Sequence, residues 1–142
     1  MRTYYIFNVN RYFAFMYKNN PFKMYKLFEE IYNTKDYDKT KAFYILEQIA
    51  NCFNKDMLNE YIFFELKYKY GYIRDNNIHI IKGKENTYVR INNYNIKIET
   101  DTNYTIFFNY LKNYNTNLFI CDFANKDYFW LNKLEVKSLQ NT

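Results

Sequence analysis

Residues 78–100 read Ile-His-Ile-Ile-Lys-Gly-Lys-Glu-Asn-Thr-Tyr-Val-Arg-Ile-Asn-Asn-Tyr-Asn-Ile-Lys-Ile-Glu-Thr. Apolar and polar residues alternate within it, and β-branched side chains dominate. Gly83 and Asn92-Asn93 divide it where a chain reverses. A period of two bounded by turn residues predicts strands. The expected elements are Ile78 to Lys82, Thr87 to Ile91 and Asn95 to Thr100, connected as a meander. The switch to this period begins near Tyr72. Everything between residue 11 and Gly71 is helical in pattern, which fixes the class as α+β.

Working outward, Tyr4-Tyr5-Ile6-Phe7 is an aromatic and β-branched run closed by Asn8 and Asn10, predicting a buried strand from Thr3 to Asn8. Arg11 to Lys18 contains no breaker and predicts a short helix. Asn20-Pro21 has the cap-then-proline order that opens another, running to about Tyr32 with Phe22, Tyr25, Phe28 and Tyr32 as its apolar stripe. After Asp36 and Asp38, a third segment spans about Lys39 to Cys52, with Ala42, Ile45, Leu46, Ile49 and Phe53 at helical spacing. A fourth follows, capped by Asn54 or Asp56 and carrying Leu58, Tyr61, Ile62 and Leu66. Beyond the meander, Thr105 to Tyr114 returns to helix with Phe107, Tyr110 and Leu111 on one face. Leu118-Phe119-Ile120-Cys121 is a continuous apolar strand of the fully buried kind. Phe123, Tyr128, Trp130 and Leu131 close the core. The expected architecture is a small mixed sheet flanked by several helices.

The 142 residues, 17.7 kDa, fit one domain, residues 1–142, with 137–142 as a loose tail. Hydrophobic residues at 49% and charged residues at 25% exclude wholesale disorder. No apolar run reaches the roughly 20 residues of a membrane span, and no signal-peptide core precedes Asn8. The reading is a soluble, cytoplasmic monomer. Cys52 and Cys121 stand far apart and are read as reduced thiols. Heavy use of Tyr, Phe, Ile, Lys and Asn is what AT-rich coding sequence produces, so composition alone identifies no function.

The charge of +5 raises nucleic acid as a partner. Residues 1–55 hold 9 basic and 5 acidic side chains, however, and residues 56–142 hold 11 and 10, interleaved nearly everywhere. A phosphate-tracking face needs bases gathered away from carboxylates. A basic, aromatic-rich nucleic-acid-binding module is therefore the alternative and not the leading reading.

Catalysis is poorly served. The chain has one Ser, one His, two separated Cys and two Gly. Phosphate-cradling glycine loops are absent, and no CxxC or second His could complete a zinc site. His79 lacks an adjacent nucleophile, and the apolar neighbours of Cys121 would raise its thiol pKa. Neither a cofactor nor a metal is expected, and the chain is read as a non-enzyme.

Two helical surfaces remain. Tyr12, Phe13, Phe15, Met16 and Tyr17 surround the short helix with large apolar groups, more than one face can absorb. Phe13 and Tyr17 form one i, i+4 stripe. Periodicity leaves open whether that stripe or the one with Tyr12 and Phe15 faces the core. On the third helix, Tyr44, Glu47, Gln48 and Asn51 fall within about 100° opposite the apolar side. This is either a plain solvent face or a contact patch in which Tyr supplies area and amides supply hydrogen bonds.

Tyr4-Tyr5-Ile6-Phe7, Phe13-Ala14, Tyr17, Leu27-Phe28, Glu47-Gln48-Ile49, Thr105-Ile106-Phe107-Phe108, Asp122-Phe123 and Tyr128-Phe129-Trp130-Leu131 occur in an order that resembles the SirA family, the sporulation inhibitors of replication. The resemblance covers residues 3–55 and 104–134, and the closing block is its most specific part. It implies a non-catalytic inhibitor of replication initiation that binds the N-terminal domain of the initiator DnaA. By match to the family's contact positions, Phe13 and Tyr17 would enter a hydrophobic recess on that domain and Gln48 would hydrogen-bond at its rim. Tyr44 and Asn51 join them by helix geometry. Asn51 stands where the family carries an aromatic.

Overall fold

The computed structural model describes residues 1–134 of the chain, so the expected tail at 137–142 lies outside the described residues. In chain order the elements are β1 (Arg2–Val9), α1 (Arg11–Tyr17), α2 (Pro21–Tyr32), α3 (Lys39–Ile49), β2 (Ala50–Asn51), α4 (Lys55–Leu66), β3 (Tyr72–Asp75), β4 (Ile78–Ile81), β5 (Thr87–Ile91), β6 (Ile96–Thr100), α5 (Ile106–Tyr114), β7 (Leu118–Asp122) and β8 (Asp127–Trp130). Among the described residues, five α-helices stand against one eight-stranded sheet, which is an α+β fold. The strand order is β3-β4-β5-β6-β1-β7-β8, and every pairing among the described strands is antiparallel.

The meander of β3 to β6 joins the rest of the sheet through β1. Tyr4 pairs with Ile98 of β6, while Ile6 lies between Ile96 of β6 and Ile120 of β7. The alternation of β1 then divides the core. Tyr4 and Ile6 share one layer with Val89, Ile91, Ile96, Ile98, Leu118 and Ile120, sealed by Leu58, Ile62 and Leu66 of α4 and by Phe107, Phe108 and Leu111 of α5. Phe7 and Val9 point the other way, onto Ala14 of α1, Met24, Tyr25 and Phe28 of α2 and Ile49 of α3. Helices on both faces explain why all five residues of β7 are buried, as the apolar run Leu118 to Cys121 predicts for its first four even in an antiparallel setting.

Side-chain caps place the helix starts. Asn20 Oδ1 accepts from the Lys23 N–H (3.3 Å) directly before Pro21, and Asn54 Oδ1 accepts from the Met57 N–H (3.2 Å). The start of α5 is held from outside its own segment. Glu85, in the β4–β5 connection, accepts from the Ile106 N–H (2.9 Å), from the Thr105 hydroxyl (2.6 Å) and from the Thr87 hydroxyl. A carboxylate facing the free N–H groups of a helix start is favoured by their partial positive charge.

At its amino end, β1 is fastened by Arg2, which donates to Asp122 (3.0 Å), Asp127 (2.9 Å) and the Asn103 side chain (2.9 Å) while lying over the Tyr4 ring. Asp122 is buried and also accepts from both the backbone and side chain of Asn125. The β7–β8 hairpin is thereby tied to the central strand.

Several expectations need correction. The third helix stops at Ile49, where Ala50 adopts an extended conformation and Ala50-Asn51 pair with Asn8-Val9. The partner edge of β1 beyond Ile6 is left free by the end of β6, and backbone pairing there, with burial of Ala50, wins over two more helical residues. Ile45, expected inside, is exposed, and Phe22 and Tyr32 at the ends of the α2 stripe are more than half exposed, although Phe22 still meets Tyr128 at a tilt and Tyr32 stacks on Phe123. The strands β3 and β8 are additional to those expected. Cys121 is buried and Cys52 exposed, both free, and burial pushes the Cys121 thiol well above its ordinary range.

Candidate protein-contact surface

Helix α1 begins at Asn10, whose side-chain oxygen accepts from the Tyr12 N–H (2.8 Å). It lasts about two turns, and Ala14 is its only buried residue. Ala14 joins the core cluster with Phe7, Val9 and Met24, and the flanking rings lie around it. They are turned outward to different degrees. Tyr12 is 66% exposed, Phe15 77% and Met16 47%. Phe13 and Tyr17 are half-buried against the α1–α2–α3 layer, with rings 6.3 Å apart and 21° from parallel. Phe13 also meets Tyr12 edge to face at 5.9 Å. The two alternatives left open by periodicity thus resolve into a gradient. The Phe13–Tyr17 stripe rests on the core with its outer side uncovered, and the Tyr12–Phe15–Met16 side stands in solvent.

The end of α3 is joined to the start of α1 by a backbone bond from the Asn10 N–H to the Ile49 carbonyl (2.8 Å). Gln48, one residue before that junction, is exposed, as is Tyr44 one turn earlier, so both present an i, i+4 row on the solvent side of α3. Asn51 is exposed too, but it leaves the helical row: it lies in β2, opposite Asn8. Phe13 and Tyr17 thus come from α1 and Tyr44 and Gln48 from α3, helices whose ends are joined by the Asn10–Ile49 bond, with Asn51 on the adjoining strand. Sequence periodicity did not single out Phe43, half-exposed on the flank of α3 and packed edge-on against Tyr94 at 5.4 Å. The only signal for it was its position beside Tyr44, 100° further round the wheel. Partial burial, with Glu47 next in effect, holds the Tyr94 hydroxyl above its ordinary range.

His79 is fully buried, away from this junction. Its Nε2 lies 2.8 Å from Asn59 Oδ1 and its Nδ1 2.7 Å from the Tyr72 hydroxyl, while Asn59 Nδ2 donates to Asn77 Oδ1 (2.7 Å). The orientation of Asn59 makes Nε2 the protonated nitrogen and Nδ1 the acceptor. Burial, and then Arg74, lower its pKa to about 4. A neutral imidazole with both nitrogens engaged holds α4 to the sheet and offers no open reactive atom. Among the described residues no three His, Cys, Asp or Glu side chains gather as metal ligands, and no helix is long and apolar enough to cross a membrane.

No curated protein matches the sequence. A family model does, over residues 2–135, nearly the entire chain and including the stretch 56–103 in which the resemblance could not be followed residue by residue. The family is one of regulatory inhibitors, and such a role implies a replication protein as the partner. The chain belongs to the SirA family, the sporulation inhibitor of replication proteins.

Proposed function

We propose that this protein restrains replication by binding the N-terminal domain of the initiator DnaA through the corner formed by α1 and the end of α3, without catalysis. The observation that carries this reading is the state of α1. It is a short helix anchored by one alanine whose aromatic side chains outnumber the positions available in the core. A ring that is half-buried by its own domain is already oriented, so little conformational freedom is lost when a partner covers the remainder. Phe13 and Tyr17 fit that description and would supply the apolar centre of the contact. Tyr44 and Gln48 would supply the rim, where an aromatic hydroxyl and an amide can hydrogen-bond. Asn51, with a short polar side chain at the margin, would contribute least.

Interfaces of standard size draw most of their affinity from a few such anchors. The experiment is calorimetric titration of the protein with the isolated N-terminal domain of DnaA. Saturable 1:1 binding is expected. No heat and no complex by size-exclusion chromatography at tens of micromolar would reject the partner.

A further inference from the structure

On the side of α1 away from α3, a cleft of about 590 Å³ opens between the helix and the corner that follows β8. Arg11 and Lys18 reach it from α1, and Lys133 from the single 3-10 turn after Trp130. Among the described residues no Asp or Glu lines it, and none of these three cations forms an ion pair. Neutral polar groups complete the wall: the amides of Asn117 and Asn132 and the hydroxyl of Thr116. Trp130 also lines it, and its indole N–H is the one buried side-chain polar atom among the described residues that has no hydrogen-bond partner. Elsewhere in this chain acids accompany bases, so a concave surface holding three cations and several donors with no carboxylate among the described residues is a local departure from the charge pattern of the sequence.

We propose that this cleft is a binding site for the phosphate group of a small phosphorylated molecule. The donors match the acceptor: a guanidinium fork suits phosphate oxygens, two ammonium groups neutralise its charge, and amide and hydroxyl groups take the oxygens that remain. The volume lies within the usual range of small-ligand sites and is larger than a phosphate alone requires. The Phe15 ring at the wall, which lies beneath the Lys18 ammonium at 5.6 Å, offers its exposed part to the organic portion of the ligand. The site is independent of the DnaA reading, because none of its residues is among those assigned to that contact.

Trp130 is the only tryptophan in the chain, so its fluorescence, excited away from the tyrosines, reports on the cleft directly. The full-length protein is titrated with inorganic pyrophosphate and, separately, with a nucleoside diphosphate, at low and at moderate salt. A saturable change weakened by salt is expected, and Lys133→Glu and Arg11→Glu should each weaken it by at least about tenfold, with each variant's thermal unfolding checked against the parent. Tighter binding of the nucleoside diphosphate assigns a role to the organic part, and equal binding assigns the phosphate alone; both support the site. No saturable response up to millimolar concentrations, or an undiminished response in both folded variants, overturns it. Binding of an acidic peptide with no response to either phosphate compound also overturns it, in favour of a protein segment as occupant.

Discussion

Lowering the pH from 8 to 5 should cost this protein about 2 kcal/mol of stability through His79 alone. The buried imidazole has a folded pKa of about 4 against an ordinary value of 6.5. The unfolded chain therefore takes up a proton below pH 6.5 that the native state refuses. The contribution is absent above 6.5, grows as the pH falls, and levels off once the folded pKa is passed. At pH 5 the unfolded side chain is almost fully charged and the native one almost fully neutral, which gives the 2 kcal/mol. The two carboxylates with lowered values do not obscure this window. Glu29, lowered by its bond from Lys26, and Asp101, lowered by the Asn86 N–H, titrate below the ordinary values of 4.5 and 3.8, so the stability they confer is lost only at lower pH. Urea unfolding at half-unit steps should show the midpoint falling by roughly 1 M between pH 8 and 5 for an ordinary urea dependence. His79→Gln keeps a polar side chain within reach of Asn59 and Tyr72 but cannot titrate, so it should be less stable at pH 8 yet flat across the window. A parent curve already flat from pH 8 to 5, or an equal slope in the variant, refutes the network as described.

Phe28→Ala should destabilise by about 3 to 5 kcal/mol, because Phe28 is buried and stacks on Phe7 at 4.0 Å and on Phe119 at 6.0 Å; a loss under 1 kcal/mol in chemical denaturation would contradict that packing. Arg2→Ala should cost about 3 kcal/mol, since Asp122 would remain buried with only Asn125 as partner, and Arg2→Ala combined with Asp122→Asn should recover part of it in a double-mutant cycle. Gly71→Ala should cost at least about 2 kcal/mol, because Gly71 has φ +81° and an added Cβ would run into the Lys82 carbonyl oxygen; a melting temperature equal to the parent's would show that the hairpin can rearrange.

Much of this fold was legible because its signals are local. Asn20-Pro21 and Asn54 are caps that act within three residues, and the alternation from Thr87 to Thr100 survives because one face of those strands is buried throughout. What escaped depends on distant partners. Nothing in Ala50-Asn51 forbids helix; it becomes strand because the last residues of β1 lack a neighbour on that side. The insertion of β1 between β6 and β7 is a pairing across about a hundred residues, which no local pattern encodes. Ile45 fits the helical wheel of α3 but lines an open cleft with Leu27 and Ile31 of α2, which leaves it exposed. At the candidate surface, the aromatic excess of residues 12–17 was visible, whereas the order of exposure within it follows from the side of α1 that joins the core cluster through Ala14, Phe13 and Tyr17. The cleft beside Trp130 draws on residues 11–18 and 116–133 and exists only in three dimensions.

The central claim is that Phe13 and Tyr17 grip a partner more than they support their own domain. The direct measurement is the affinity of Phe13→Ala and Tyr17→Ala for the N-terminal domain of DnaA by calorimetry, with thermal unfolding of each variant recorded alongside. Half-buried rings should cost about 1 to 2 kcal/mol of stability, leaving the protein folded, while binding weakens by more than about tenfold. Unchanged affinity in folded variants, or variants that unfold as Phe28→Ala does, would contradict the account.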